Sequence, residues 1–209
     1  MGQVHVAPLK VKPRVLERRA FFELIRMANR LVKPDDIAHQ LAVLAKLVSD
    51  CQAVAVRMKT GLGFPYAACI GFPAQFAGPE DDLYARDQHG HLLRDDHHEP
   101  VLACICGHVL FGRIHPNHPL ITDRGSLIMS SSSVRLTPAS EAQIPGHMLN
   151  LHHVAQYETV GLFPIRLDQQ MYGLIQCNDR RPGRLTPETI DQMEDLAASA
   201  ADLLEIAMP

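Results

Sequence analysis

The residue types able to do chemistry stand closest together at Cys104-Ile105-Cys106-Gly107-His108. In an extended segment, a Cys-x-Cys pair places both sulfurs on one face. On a helix the two splay by about 200°. Two close thiols chelate a soft metal or form a strained, easily reduced disulfide, which suits a redox switch. At a helix start the thiolate would also gain from the helix dipole. The spacing is not the Cys-x-x-Cys-His of covalent haem attachment. The plain alternative is that both cysteines are small apolar residues packing a helix into the core.

Candidate partners lie on either side. Ten of the 12 histidines fall between His89 and His153, among them His97-His98-Glu99, His115-Pro116-Asn117-His118 and His152-His153. His115 and His118, three apart, would suit one ion or a haem edge. The expected metal set is therefore Cys104, Cys106, His108, His115 and His118. Loop histidines also occur as solvated surface residues with no ligand. Arg113, Arg124 and Arg135 add positive charge near Ser126 and Ser130–Ser133. Arginine forks and backbone donors there would hold a small anion. The expected ligand-binding set is Cys104, Cys106, His108, Arg113, Ser130 and Ser132, with an ordinary polar loop as the alternative. Cys69 and Cys177 fall in apparent strands and read as core packing. There is no phosphate-binding loop, no dinucleotide fingerprint and no Gly-x-Ser-x-Gly.

The elements that must position these residues come next. Residues 1–13, with Pro8 and Pro13, read as an N-terminal arm, and residues 14–209 as one domain with flanking helices. Phe21, Leu24, Ile25, Ala28, Leu31 and Val32 recur at helical spacing, and Pro34 interrupts that helix. Asp35 or Asp36 caps a second helix with Ile37, Leu41, Leu44 and Val48 on its apolar face. Ala53–Met58 and Tyr66–Ile70 read as an antiparallel hairpin. From Pro73 to about His153 regular signals thin out, as in a functional insert or lid. Short helices are expected near Asp81–Arg86, Glu99–Phe111 and Ala139–Leu151, with a strand at Ser126–Ser130. Thr159–Leu167 and Met171–Cys177 read as a second hairpin, with Pro164 marking an edge or a bulge. Thr186 and Pro187 open a final helix lined by Ile190, Met193, Ala197, Ala200 and Leu204. No internal repeat is read from the sequence. The fold class is α+β: a central antiparallel sheet, N- and C-terminal helices on one face, and an irregular segment on the other.

Bulk properties exclude several classes. The chain has 209 residues, 46% hydrophobic and 21% charged, with a formal net charge of −3. That suits one domain with a sizeable core. No basic excess points to nucleic acid, and no apolar stretch reaches a membrane span. Five cysteines, an odd number, with no apolar leader fit thiols in a cytoplasmic protein better than a disulfide framework.

Val160-Gly161-Leu162-Phe163-Pro164-Ile165, Tyr172-Gly173-Leu174-Ile175-Gln176-Cys177-Asn178 and the helix start Leu185-Thr186-Pro187-Glu188 resemble segments of GAF domains, a sensory family related to PAS domains. Cys106-Gly107-His108-Val109 to Gly112, followed by Pro119-Leu120-Ile121-Thr122-Asp123, is similar to the family's middle helix and the loop after it. The resemblance covers roughly residues 20–206. It implies a sensory module holding a small molecule, haem or a metal between the sheet and the middle segment. Its output would go to a partner elsewhere, and a homodimer would form through the terminal helices. Asn178 is followed by Asp179, and Leu185 replaces a phenylalanine, which departs from the cyclic-nucleotide-binding members. Nothing resembles the motif surrounding a bilin-bearing cysteine. An alternative follows from Ile105-Cys106-Gly107, which looks like the redox-cysteine setting of free methionine sulfoxide reductases. In that thiol enzyme Cys106 would be catalytic and Cys104 would resolve its sulfenic acid. The rest of that family's motif is not apparent, so a non-enzyme is expected. A purely structural dimerisation domain is the third reading.

Overall fold

The structure, a computed structural model, describes residues 34–61, 63–73, 83–131 and 157–207. The expected N-terminal arm, the helix over 14–32, the helix at 139–151 and the segment carrying Ser132 and Arg135 lie outside these residues.

Helix α1 spans Pro34–Ser49. Pro34 is its first residue and not the break before it, because the first turn needs no amide donor. Ile37, Ala38, Leu41, Ala42 and Ala45 recur at spacings of three and four, and all are buried. Asp50, at φ 49°, turns the chain out of the helix. Strands β1 (Ala53–Met58), β2 (Tyr66–Ile70), β3 (Leu127–Met129), β4 (Thr159–Leu167) and β5 (Gln170–Asp179) form one antiparallel sheet in the order β2-β1-β5-β4-β3. Between β2 and β3 lies a six-residue helix, α2 (Ile105–Leu110). Helix α3 (Pro187–Ala207) closes the described chain, and Thr186 Oγ1 accepts from the Thr189 amide at 3.2 Å as its cap.

Side chains alternate across each strand, so each residue's face follows from the register. Val54, Val56, Phe163, Ile165, Ile175 and Cys177 face α1 and α3. Ala53, Leu174, Val160, Leu162, Leu127 and Met129 join Cys104, Cys106, Val109 and Leu110 in the core beneath α2. The layer plan read from the sequence therefore holds: helices on one face, the irregular segment on the other. Pro164 also sits where its missing amide costs least. Strand β3 pairs β4 only at Val160–Leu162, so at Pro164 β4 is an edge, and the register shifts just beyond, at Ile165/Arg166. No helix among the described residues is long and apolar enough to cross a membrane.

The segment 83–103 corrects two expectations. It holds no helix near residue 86, and helix α2 is much shorter than 99–111. The residues instead form two stacked turns of period eight. Arg86-Asp87-Gln88-His89-Gly90-His91 is matched by Arg94-Asp95-Asp96-His97-His98-Glu99. Asp87 Oδ1 accepts from the amides of His89 and His91 at 2.8 and 3.0 Å. Asp95 Oδ1 accepts from those of His97 and Glu99, both at 2.9 Å. Arg86 Nη1 donates to the Gly90 carbonyl and Arg94 Nη1 to that of His98, each four residues on. Gly90 and His98 occupy the same left-handed position, at φ 84° and 63°. The amides of Leu93, Val101 and Ala85 donate in a ring to the carbonyls of Ala85, Leu93 and Val101. A tandem repeat is therefore present, short and built on Asp-closed turns.

The end of β5 ties the helix layer to the sheet. The Asp179 carboxylate accepts from the Gln52 amide at 3.0 Å, the Arg181 amide at 2.8 Å, and Arg181 Nε and Nη2 at 2.9 and 2.8 Å. Arg184 pairs with Asp50 across the same joint. The Arg181 hydrogen bonds, helped by the backbone amides, outweigh burial and hold the Asp179 carboxyl below its ordinary pKa.

Two outcomes are expected. A Cβ added at Gly173 would lie 2.2 Å from the Arg57 carbonyl oxygen on the neighbouring strand. Gly173→Ala should therefore cost about 2–3 kcal/mol in urea unfolding. Asp179→Asn should cost about 1–3 kcal/mol at neutral pH. The carboxylate's contribution is complete above its unfolded pKa of about 4 and is lost as pH falls through the lower folded value. The gap between wild type and variant should therefore close in acid unfolding below about pH 4.

Candidate functional site

Strand β1 reads Ala-Val-Ala-Val-Arg-Met and is buried along its whole length, arginine included. Arg57 is 1% exposed. A guanidinium stays charged at any physiological pH, so a buried one needs acceptors and aromatic faces around it. Arg57 Nη1 donates to the Phe64 carbonyl at 2.8 Å, and its Cζ lies 3.6 Å from the centroid of the Tyr66 ring. The β1–β2 register creates this stacking. A shift between Val56 and Arg57 skips Ala67 and sets Tyr66 opposite Arg57, on the α2 face. Without that shift, Tyr66 would point into the helix layer. Burial works against the charge, but the electrostatics of Tyr66, Cys106 and Cys104 outweigh it and raise the Arg57 pKa above its ordinary value.

The same face carries Gln176 and Asn178. The Tyr66 hydroxyl donates to Gln176 Oε1 at 3.0 Å, and Cys106 Sγ reaches that oxygen from α2 at 3.5 Å. Gln176 Nε2 then donates to Asn178 Oδ1 at 3.2 Å. The relay ends there. Asn178 is 0% exposed, and its Nδ2 has no hydrogen-bond partner among the described residues. Flipping the Asn178 amide would set two donors against each other. Reversing the whole relay would only exchange an orphan donor for an orphan acceptor. An unmatched buried amide costs about 1–3 kcal/mol, so this one calls for an explanation. Beside the relay, Ala53 and Ala55 pair with Asn178 and Gln176 and present only methyl groups.

Cys106 is thus part of the site, and Cys104, buried in extended backbone just before α2, lies close enough to act on Arg57. The remaining expected residues are dispersed. His108 is buried two positions after Cys106, about 200° around the helix. It lines a separate cleft of about 380 Å³ with Val109, Ile114, Pro164, Arg166 and Met171. His115 is exposed, and its Nδ1 accepts from the Asn117 amide at 3.2 Å. His118 is buried, and its Nδ1 accepts from the Leu120 amide at 3.1 Å. Both rings are thus turned back on their own loop. Among the described residues no group of three or more His, Cys, Asp or Glu side chains could hold a metal ion. The five-residue metal set of Cys104, Cys106, His108, His115 and His118 is therefore not assembled.

Among the described residues, the members of the expected anion site do not converge; Ser132 and Arg135 lie outside them. Arg113 donates to the Pro100 carbonyl and faces Glu99, so it serves the period-eight turns. The Ser130 carbonyl accepts from the Gly183 amide at the far end of the β4–β5 hairpin. Arg124 pairs with Glu194 and Asp195 of α3.

Arg57, Tyr66 and Gln176 were missed as site residues. The available signal was a charged residue inside an otherwise apolar strand. Nothing local in the sequence reveals the register shift that brings Tyr66 to Arg57.

No family model matches the sequence, and no curated relative does. Solved structures do resemble the fold. The GAF domain of the cyanobacteriochrome TePixJ superposes with a TM-score of 0.50 at 15% identity, covering 85% of this chain and 92% of its own. The GAF domain/HD domain protein from Geobacter sulfurreducens gives 0.51 at 16% identity, covering 84% and 94%. The GAF-B domain of DevS from Mycobacterium smegmatis gives 0.50 at 14% identity, covering 84% and 95%. The chain has the fold of GAF domains, as its sequence motifs imply.

Gln176 is the hub of the relay, so its removal should be expensive. Gln176→Leu removes the acceptor of the Tyr66 hydroxyl and the donor to the Asn178 carbonyl. The loss should be about 2 kcal/mol or more by chemical denaturation, well above that of an ordinary polar-to-apolar change.

Proposed function

We propose that this domain is a sensory module that binds a small polar molecule between the sheet and α2, against Arg57, Tyr66, Gln176, Asn178 and Cys106. The observation that carries this reading is a buried hydrogen-bond relay that starts at Tyr66, stacked on the buried Arg57 guanidinium, and ends in an Asn178 amide nitrogen with no partner among the described residues. Such a cluster is costly as pure structure and useful as a recognition site. The chemistry favours a compact, planar or anionic ligand with acceptor atoms. The tyrosine ring and guanidinium offer a flat face, and Asn178 Nδ2 offers a directed donor. The GAF fold is compatible with this role, since proteins of that fold include a cyanobacteriochrome. Haem, a metal or a redox change at Cys104/Cys106 are finer forms of the same reading. For the metal form, no ligand set is assembled among the described residues.

Binding would be read out through the opposite face of the sheet, where α1 and α3 pack. Val43 and Leu47, exposed one helical turn apart on α1, support a homodimer through the terminal helices, with the output carried by a separate partner. Replacing Arg57 should separate recognition from fold. In a thermal-shift panel of small carboxylates, purine and pyrimidine bases, haemin and zinc, at least one member should stabilise the wild type. A ligand at a hundred times its Kd adds about 2.7 kcal/mol. The same member should leave Arg57→Met unmoved. Equal shifts in both proteins, or none in either, would count against the site.

A further inference from the structure

Arg166, near the end of β4, is exposed, and Asp123 stands exposed in the loop that follows α2. Both are held on one closed turn. The Thr122 amide donates to the Ser126 carbonyl at 2.9 Å, the Gly125 amide to the Thr122 carbonyl at 2.8 Å, and the Ser126 amide to Thr122 Oγ1 at 3.0 Å. Gly125 is in the left-handed region at φ 84°, and a Cβ there would lie 3.0 Å from Arg166 Nη2. Glycine thus permits the backbone angle and lets the guanidinium lie close. Arg166 Nη2 donates at 3.2 Å to the carbonyl of Arg124, the residue after Asp123. Yet no carboxylate oxygen among the described residues, those of Asp123 included, comes within 4.0 Å of the Arg166 guanidinium. Both charges line the cleft of about 380 Å³ bounded by α2, this turn and the β4–β5 hairpin. Val109 and Ile114, both buried, with Ile121 and Met171, partly buried, give it an apolar wall continuous with the core.

We propose that this cleft is a second ligand site, for a free α-amino acid with an apolar side chain. Arg166 takes the carboxylate, Asp123 takes the ammonium group, and the apolar wall takes the side chain. The volume suits one such molecule, since small-molecule pockets begin at about 300 Å³. A guanidinium fork matches a carboxylate through two parallel hydrogen bonds. A plain carboxylate would gain Arg166 but bring its charge toward Asp123, and a plain amine would meet the reverse. A zwitterion satisfies both charges at once. Occupancy reaches the helix layer by a short route. Thr122 Oγ1 donates to Glu194 Oε1 at 2.5 Å, and Arg124 pairs with Glu194 and Asp195, so the turn that carries Asp123 is fastened to α3. The site shares no residue with the Arg57 face.

The test titrates the full chain with leucine, valine and phenylalanine, each beside its deamino acid and its decarboxylated amine, and reads binding by saturation-transfer NMR. At least one amino acid should bind, and its two truncated analogues should bind at least about tenfold more weakly, a loss of about 1.4 kcal/mol. Arg166→Met and Asp123→Asn should each reproduce that loss for the intact amino acid. Both side chains are exposed, so neither change opens the core. Arg57→Met should leave the affinity unchanged, which separates this site from the one on the α2 face of the sheet. No signal from any of the three amino acids would overturn the proposal. So would a deamino acid that binds as tightly as its parent, or an affinity that survives Arg166→Met.

Discussion

A guanidinium in the interior of a sheet constrains everything around it. It cannot shed its charge, so the fold must supply a carbonyl, an aromatic face and polarisable neighbours at fixed positions. At Arg57 these come from the Phe64 carbonyl, the Tyr66 ring and the two sulfurs before and within α2. Each supply has a structural cost. The β1–β2 hairpin departs from its regular register, and a six-residue helix must lie over the sheet with Cys106 turned inward. Gly173 must remain a glycine so that β5 can pass the Arg57 carbonyl. An apolar side chain at position 57 would have needed neither the register shift nor the inward sulfur, although its backbone carbonyl would still require Gly173. Their combination is the strongest argument that the charge serves recognition.

The two faces of the sheet differ in chemistry. Toward α1 and α3 the strands offer Val54, Val56, Phe163, Ile165 and Ile175, an apolar layer with a polar cluster at the Asp179 joint. Toward α2 they offer Arg57, Gln176 and Asn178 among small or apolar neighbours. The first face suits transmission, because a packed apolar layer moves as a unit. The second suits recognition, because its polar groups are directed and Asn178 Nδ2 has no partner among the described residues.

Much of this plan was legible in the sequence. Strand periodicity located β1, β2, β4 and the core of β5, and Thr186-Pro187 marked the start of α3. Pro164 signalled an edge, because an imino acid is tolerated in a sheet only where no amide is needed. The middle of the chain was harder. Asp87 and Asp95 fold their turns through side-chain bonds to amides two and four residues on, which produce no hydrophobic period. The cysteines were legible as types but not as geometry. Helical winding sends Cys106 to Gln176 and His108 to another cleft, so residues adjacent in sequence serve different places. Tyr66 joined the site only through a one-residue shift.

The central claim is that the relay from Tyr66 to Asn178 is completed by a small molecule. A high-resolution crystal structure of the protein, isolated from cells without added ligand, tests this most directly. The account predicts non-protein density against Asn178 Nδ2 and the Arg57 guanidinium, contacting the Ala53 and Ala55 methyl groups. A dry, closed contact there, with Asn178 Nδ2 bonded to a protein carbonyl and α2 packed flush on the sheet, would contradict it.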